Sequence, residues 1–242
     1  MQGHENSNLQ RVQRLRDVPR TRDEPRQTAG AGPGRFTPRL FVFARHAEST
    51  ANVARVISSD PARAVTLTER GREQARQLGA QLAGLGIDLA VATRLGRTRE
   101  TVELALAGQR VPLLIEPGLD EIRAGDCDGA PVERYWAWEE HHTSSERFPH
   151  GESMDEALLR YARALRYLLS RTERVTLVVL HEFALRRIAQ EASALSLVSD
   201  AAFGNAIPYL FHERAVARAA TGLEAMARTA KPELPARRAT SR

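Results

Sequence analysis

Two continuous apolar runs constrain this chain most: residues 40–44 (LFVFA) and residues 175–180 (VTLVVL). Neither alternates with polar residues, and both are rich in Val, Leu and Phe. That pattern fits strands buried on both faces, the situation of strands in a parallel sheet. Shorter candidates are residues 89–92, 111–115 and 207–211. Pro208 lacks an N–H and directs the last of these to a sheet edge. Helical signals fall between the runs. Ser153 and Glu156 form a capping box, followed on one face by Ala157, Leu158, Tyr161, Leu165, Leu168 and Leu169. Thr68 caps a second helix carrying Ala75, Leu78, Leu82 and Leu85, and two more are expected over residues 97–107 and 183–194. Alternating strands and helices predict an α/β fold: a three-layer α/β/α sandwich with a mainly parallel central sheet.

Composition narrows the class. The 242 residues suit one sizeable domain, and 42% hydrophobic with 27% charged residues is ordinary for a soluble globular chain. No apolar run approaches the roughly 18 residues of a membrane span. The N-terminus lacks the apolar core of a secretory signal, so a cytoplasmic location is expected. The single cysteine, Cys127, excludes an intramolecular disulfide and a cysteine metal cluster. Net charge is +5, but residues 1–39 carry +4 and residues 214–242 carry +5, which leaves the middle at −4. Basic character thus belongs to the ends, which read as solvated, and nucleic acid is not expected as a partner. Residues 1–38 have little apolar content after Val18 and are expected to be a disordered basic extension. The folded domain is placed at 39–228 and a flexible basic tail at 229–242. A homodimer is left open.

The chemistry is expected at the strand exits, where open α/β sheets keep their sites. The first run leads directly into Arg45-His46-Ala47-Glu48-Ser49, and the second ends in His181 with a helical pattern after it. In so arginine-rich a chain an Arg-His dipeptide arises by chance, so its context must carry the claim. If the two strands lie side by side, the two imidazoles converge near a helix N-terminus, whose free N–H groups suit an anion.

In order along the chain, six segments resemble the histidine phosphatase superfamily, also called phosphoglycerate-mutase-like. They are Arg45-His46-Ala47-Glu48-Ser49 with Asn52; Leu67-Thr68-Glu69-Arg70-Gly71 with Gln74-Ala75; Leu95-Gly96-Arg97-Thr98-Arg99-Glu100-Thr101; Leu119-Asp120-Glu121-Ile122 with Gly125-Asp126 and Gly129; Pro149-His150-Gly151-Glu152-Ser153; and Val178-Val179-Leu180-His181. The resemblance spans roughly residues 39–212. It implies that Arg45 and Arg97 grip a phosphoryl group through bidentate hydrogen bonds. His46 is then the nucleophile that becomes a phosphohistidine, and His181 stabilises the transferring phosphoryl oxygens. Glu121 protonates the leaving oxygen and then activates water. Asn52 either contacts the phosphate or caps a turn. The implied substrate is a small phosphorylated metabolite, with no cofactor and no metal required.

Several positions depart from the family pattern. Ala47 and His150 stand where glycine is usual, and Ala92-Thr93-Arg94 where Ser-Ser-Pro is common. Glu182-Phe183 follows His181 in place of two glycines. A carboxylate at this point repels a phosphate unless it points away or binds a cationic part of the substrate. His141, His142 and His150 fit no zinc-ligand spacing and read as a surface loop. Tyr135, Trp136 and Trp138 read equally as pocket lining or as a helix-packing set. About 60 residues separate Glu121 from His181, short of the insertion that family mutases carry there. Water access, and so hydrolysis, is favoured. A mutase and a catalytically weakened phospholigand-binding protein remain the alternatives.

Overall fold

The computed structural model of the protein describes residues 39–193 and 203–228. The expected extension 1–38 and tail 229–242 lie outside the described residues. Five strands form one sheet: β1 (Leu40–Arg45), β2 (Leu89–Ala92), β3 (Leu113–Ile115), β4 (Val175–Leu180) and β5 (Pro208–His212). Their order is β3-β2-β4-β1-β5. The first four are parallel, and β5 runs antiparallel to β1 at the edge, as Pro208 requires. The third strand is shorter than expected. Pro112 has no N–H to offer a neighbour, though its carbonyl still accepts from Ala90 N at 2.9 Å.

The helices are α1 (Thr50–Ala54), α2 (Glu69–Leu82), α3 (Gly96–Ala105), α4 (Val132–His141), α5 (Met154–Ser170), α6 (Glu182–Ser193) and α7 (Glu213–Arg228). Strand side chains alternate between two apolar layers. Phe41, Phe43, Val91, Val178 and Leu180 meet α5, α6 and α7 on one face. Val42, Ala44, Ala90, Leu177 and Val179 meet α2 and α3 on the other. The three-layer α/β/α expectation is met. The longest helix, α5, starts at the Ser153–Glu156 capping box and buries Ala157, Leu158, Tyr161, Ala162, Ala164, Leu165 and Leu168. Each fully buried leucine there contributes about 1.5–3 kcal/mol. Three helices were not anticipated: α1, α4 and α7. Among the described residues, no helix is long and apolar enough to cross a membrane.

The start of α2 braces the exit of β1. Thr68 N donates to Glu48 O at 3.0 Å, and Thr68 Oγ1 to the Glu48 carboxylate at 2.8 Å. Gln74 Oε1 accepts from Glu48 N at 2.9 Å. Helix and loop approach so closely that a Cβ on Gly71 would overlap the Glu48 carbonyl oxygen. This explains the glycine in the Leu-Thr-x-x-Gly segment by space rather than by backbone angle. Gly71→Ala is therefore expected to destabilise the fold by about 1–3 kcal/mol, the cost of overpacking. Urea denaturation with an unchanged m-value checks it.

Candidate active site

Parallel pairing of β1 and β4 sets Arg45 opposite Leu180, so the next residue on each strand is a histidine. His46 N donates to Leu180 O at 2.9 Å and locks the register at the exit. The two rings lie with centroids 5.4 Å apart at 60°, and both are buried. From the exit of β2, the first turn of α3 delivers Arg97, which is 4% exposed. Its guanidinium lies between the imidazoles. Nε donates to His46 Nε2 at 2.9 Å, and Nη2 lies 3.1 Å from His181 Nδ1. The remaining donors reach Ser58 Oγ at 3.1 Å and Ser58 O at 2.9 Å.

An arginine only donates, so it assigns the tautomers. His46 Nε2 carries a lone pair, and its protonated Nδ1 donates to Ala47 O at 2.8 Å. His181 Nδ1 likewise carries a lone pair, and its Nε2–H donates to Thr93 Oγ1 at 3.0 Å. Thr93 Oγ1 in turn lies 3.0 Å from Thr98 Oγ1, which donates to Leu95 O at 2.8 Å. Burial first, then the charges of Arg97 and Arg45, holds His46 well below the usual imidazole range. Burial, then Arg97 and His46, does the same to His181. Both rings are neutral at pH 7. Burial lowers Arg97 to about 10, and Glu121 opposes the fall, so the guanidinium stays charged at neutral pH.

Arg45 lies at the rim. Its Nη1 donates to Phe203 O at 3.0 Å and meets Glu182 Oε2 at 2.7 Å. Glu182 thus turns towards a cation, which answers the repulsion expected from sequence. Its other oxygen meets Arg186 Nη2 at 2.8 Å. Asn205 Nδ2 donates to His46 O at 2.8 Å and steadies the loop below. Glu121 Oε1 accepts from Ile122 N at 3.0 Å. Burial pushes its carboxyl up, against Arg97, the Ile122 N–H and Arg45.

The structure therefore brings His46, His181, Arg97 and Arg45 together, with Glu121 in electrostatic reach of both arginines. Two acidic residues of the same segment are engaged elsewhere. Asp120 is buried against Arg94 at 2.6 Å, and Asp126 pairs with His150 at the surface. Asn52 Oδ1 accepts from Ser49 N and Oγ, both at 3.0 Å, within the capping box of α1. His142 stacks on Trp138, His141 Nδ1 lies against Ala137 O, and no cluster of three metal-ligating side chains occurs among the described residues. Tyr135 and Trp138 stack on Phe148, while Trp136 is half exposed beneath Arg55. Sequence reasoning missed Ser58 and the role of Thr93. For Thr93 a signal existed: a hydroxyl directly after a buried strand, three residues before the Arg-bearing helix.

Residues 41–206 match the family model of the histidine phosphatase superfamily (branch 1). The chain belongs to the histidine phosphatase superfamily. One relative in this superfamily is the Erwinia tasmaniensis protein named "Probable phosphoglycerate mutase GpmB", 36% identical over 58% of this chain and 68% of that one. Another is the Escherichia coli adenosylcobalamin/alpha-ribazole phosphatase, 33% identical over 41% of this chain and 52% of that one. The chain thus spans about half to two thirds of the length of these curated relatives. Among solved structures, the alpha-ribazole phosphatase from Shigella flexneri shares the superfamily fold with a TM-score of 0.61. It is 24% identical, and the match covers 71% of this chain and 89% of that one. A mycobacterial glucosyl-3-phosphoglycerate phosphatase bound to VO3 gives 0.57 at 23% identity over 71% and 92%.

Two outcomes follow for this superfamily site. Thr93→Val leaves the buried His181 Nε2–H without an acceptor and should cost about 1–3 kcal/mol, read by thermal melting at pH 7. Acid should also weaken the fold through the histidines. Their folded pKa values lie below the ordinary 6.5, so the unfolded chain binds more protons. This stabilisation is complete above about pH 6.5 and falls by up to about 1.4 kcal/mol per histidine per pH unit below it. Replacing His181 with Gln should flatten the decline between pH 7 and pH 5.

Proposed function

We propose that the protein is a phosphomonoesterase of the histidine acid phosphatase type. It hydrolyses a small phosphorylated metabolite through a phosphohistidine on His46. The observation that carries this reading is the unprotonated Nε2 of His46 at 2.9 Å from the Arg97 guanidinium. The nucleophilic lone pair and a phosphate-binding fork share one spot. On binding, Arg97 exchanges its bonds to the imidazoles for bonds to phosphoryl oxygens, which frees Nε2 for in-line attack. The N–P bond forms as the ester P–O bond breaks, and Glu121 gives its proton to the leaving oxygen. Its raised pKa supports the protonated form. Water then attacks phosphorus, Glu121 takes the water's proton, the N–P bond breaks and inorganic phosphate leaves. The positive charge that offsets the phosphoryl group comes from Arg45 and Arg97, so the reading needs no metal ion.

The phosphatase named among the relatives supports hydrolysis. So does the short stretch between Glu121 and His181, which holds little more than α4 and α5 before β4. The mutase named among them is the second reading. It is favoured if a phosphoglycerate yields its isomer faster than inorganic phosphate.

Wild type should turn over p-nitrophenyl phosphate, and His46→Ala should reduce that to background. Equal rates would remove His46 as the nucleophile. Glu121→Gln should lower kcat by about 10²–10⁴-fold for an ester with a poor leaving group. It should also abolish the alkaline limb of the pH profile, since that limb reports loss of the Glu121 proton.

A further inference from the structure

We propose that Glu152 and Arg160 are positioning residues for the general acid: their buried ion pair grips the main chain on both sides of Glu121 and so holds its carboxyl in place for proton transfer. This deepens the phosphomonoesterase reading and rests on it.

The pair comes from one short stretch of chain. Glu152 directly precedes Ser153, the cap of α5, and Arg160 lies about two turns into that helix. The Glu152 side chain is 1% exposed and that of Arg160 18%. Arg160 Nη2 donates to Glu152 Oε1 at 2.5 Å and Nε to Oε2 at 3.2 Å, a two-pronged contact. Burial by itself raises the Glu152 carboxyl, but Arg160 and Arg123 outweigh it and hold it below the ordinary carboxylate range. The pair is therefore charged at neutral pH.

What the pair holds is the segment that carries Glu121. Arg160 Nη1 donates to Gly118 O at 3.1 Å and to Asp120 O at 3.0 Å, and Nη2 reaches Glu121 O at 3.4 Å. Past the acid, Arg123 N donates to Glu152 Oε1 at 3.0 Å, and Glu152 N donates to Arg123 O at 2.9 Å. Gly151 permits this approach, because a Cβ there would overlap Arg123 O. The arginine thus fixes the chain before and at Glu121, and the glutamate fixes it two residues later. The Glu121 carboxyl accepts from Ile122 N at 3.0 Å, a main-chain donor inside the same bracket. Where the main chain stands therefore sets where the acid stands, and a displacement of about 1 Å is enough to cost about a hundredfold in rate. Asp120 ties the segment to Arg94 independently, so loss of the bracket loosens the acid without releasing the whole segment.

The leaving group provides the readout. For each protein, kcat/KM is measured on p-nitrophenyl phosphate, whose phenolate leaves without a proton, and on benzyl phosphate, similar in shape, whose alkoxide needs one. Glu152→Gln should lower kcat/KM about 10–100-fold for the benzyl ester and no more than about threefold for the nitrophenyl ester. In a Glu121→Gln background the same substitution should remove no more than about threefold further on the benzyl ester, since a residue that acts through Glu121 then has nothing to act on. Arg160→Lys keeps a cation beside Glu152 but lacks the fork. It should show the same selective loss, and it decides the matter if Glu152→Gln does not fold. Equal losses on the two esters, or a full multiplicative loss in the double variant, overturn the proposal. If Glu121→Gln is selective between the esters and the Glu152 and Arg160 variants are not, only the positioning role falls. If Glu121→Gln is not selective, the general-acid reading falls and the proposal falls with it.

Discussion

A guanidinium that is 4% exposed must find acceptors, and the acceptors that Arg97 finds determine the rest of the site. It takes the lone pairs of both imidazoles and the backbone and hydroxyl of Ser58. In doing so it fixes both tautomers, and its charge adds to burial in keeping both rings neutral. It also ties the loop after α1 to the floor of the site. Lysine, a compact point charge on a flexible stem, has no planar fork to span these four acceptors. The strands serve this arrangement by ending at one level, so that His46, Thr93 and His181 converge from three neighbouring strands.

The frame was readable because its signals are local and strong. Residues 40–44 and 175–180 fit buried strands by their Val, Leu and Phe content, and the caps at Thr68 and Ser153 sit one residue before their helices. The two histidines were readable for the same reason, as strand-exit residues. The helix α7 escaped because its buried face is Val216, Ala219, Ala220 and Leu223, an alanine-rich stripe with little apolar contrast inside a basic stretch. Ser58 escaped because nothing within its own loop predicts which buried cation will lie against it. The partner of Glu182 escaped similarly. A carboxylate after His181 reads as repulsive until the β1–β4 register places Arg45 beside it.

Glu182 and Glu121 show one residue type under two regimes. Glu121 is pushed towards the acid by burial, whereas Glu182 is met by two guanidinium groups. Two carboxylates near Arg45 therefore need not conflict, because one is suited to hold a proton and the other is offset by Arg45 and Arg186.

The order of strands has a consequence in time. The core strand β1 is made early, yet both its neighbours, β4 and β5, come from the last third of the described chain. At the usual 5–20 residues per second of synthesis, the roughly 130 residues between β1 and β4 take on the order of ten seconds. For that interval the segment LFVFA has no sheet partner and the two histidines have not met. Parallel pairing at this separation is also intrinsically slow. The nascent chain thus carries its most adhesive segment unpaired until β4 is made, and a product that stops before His181 cannot assemble the centre.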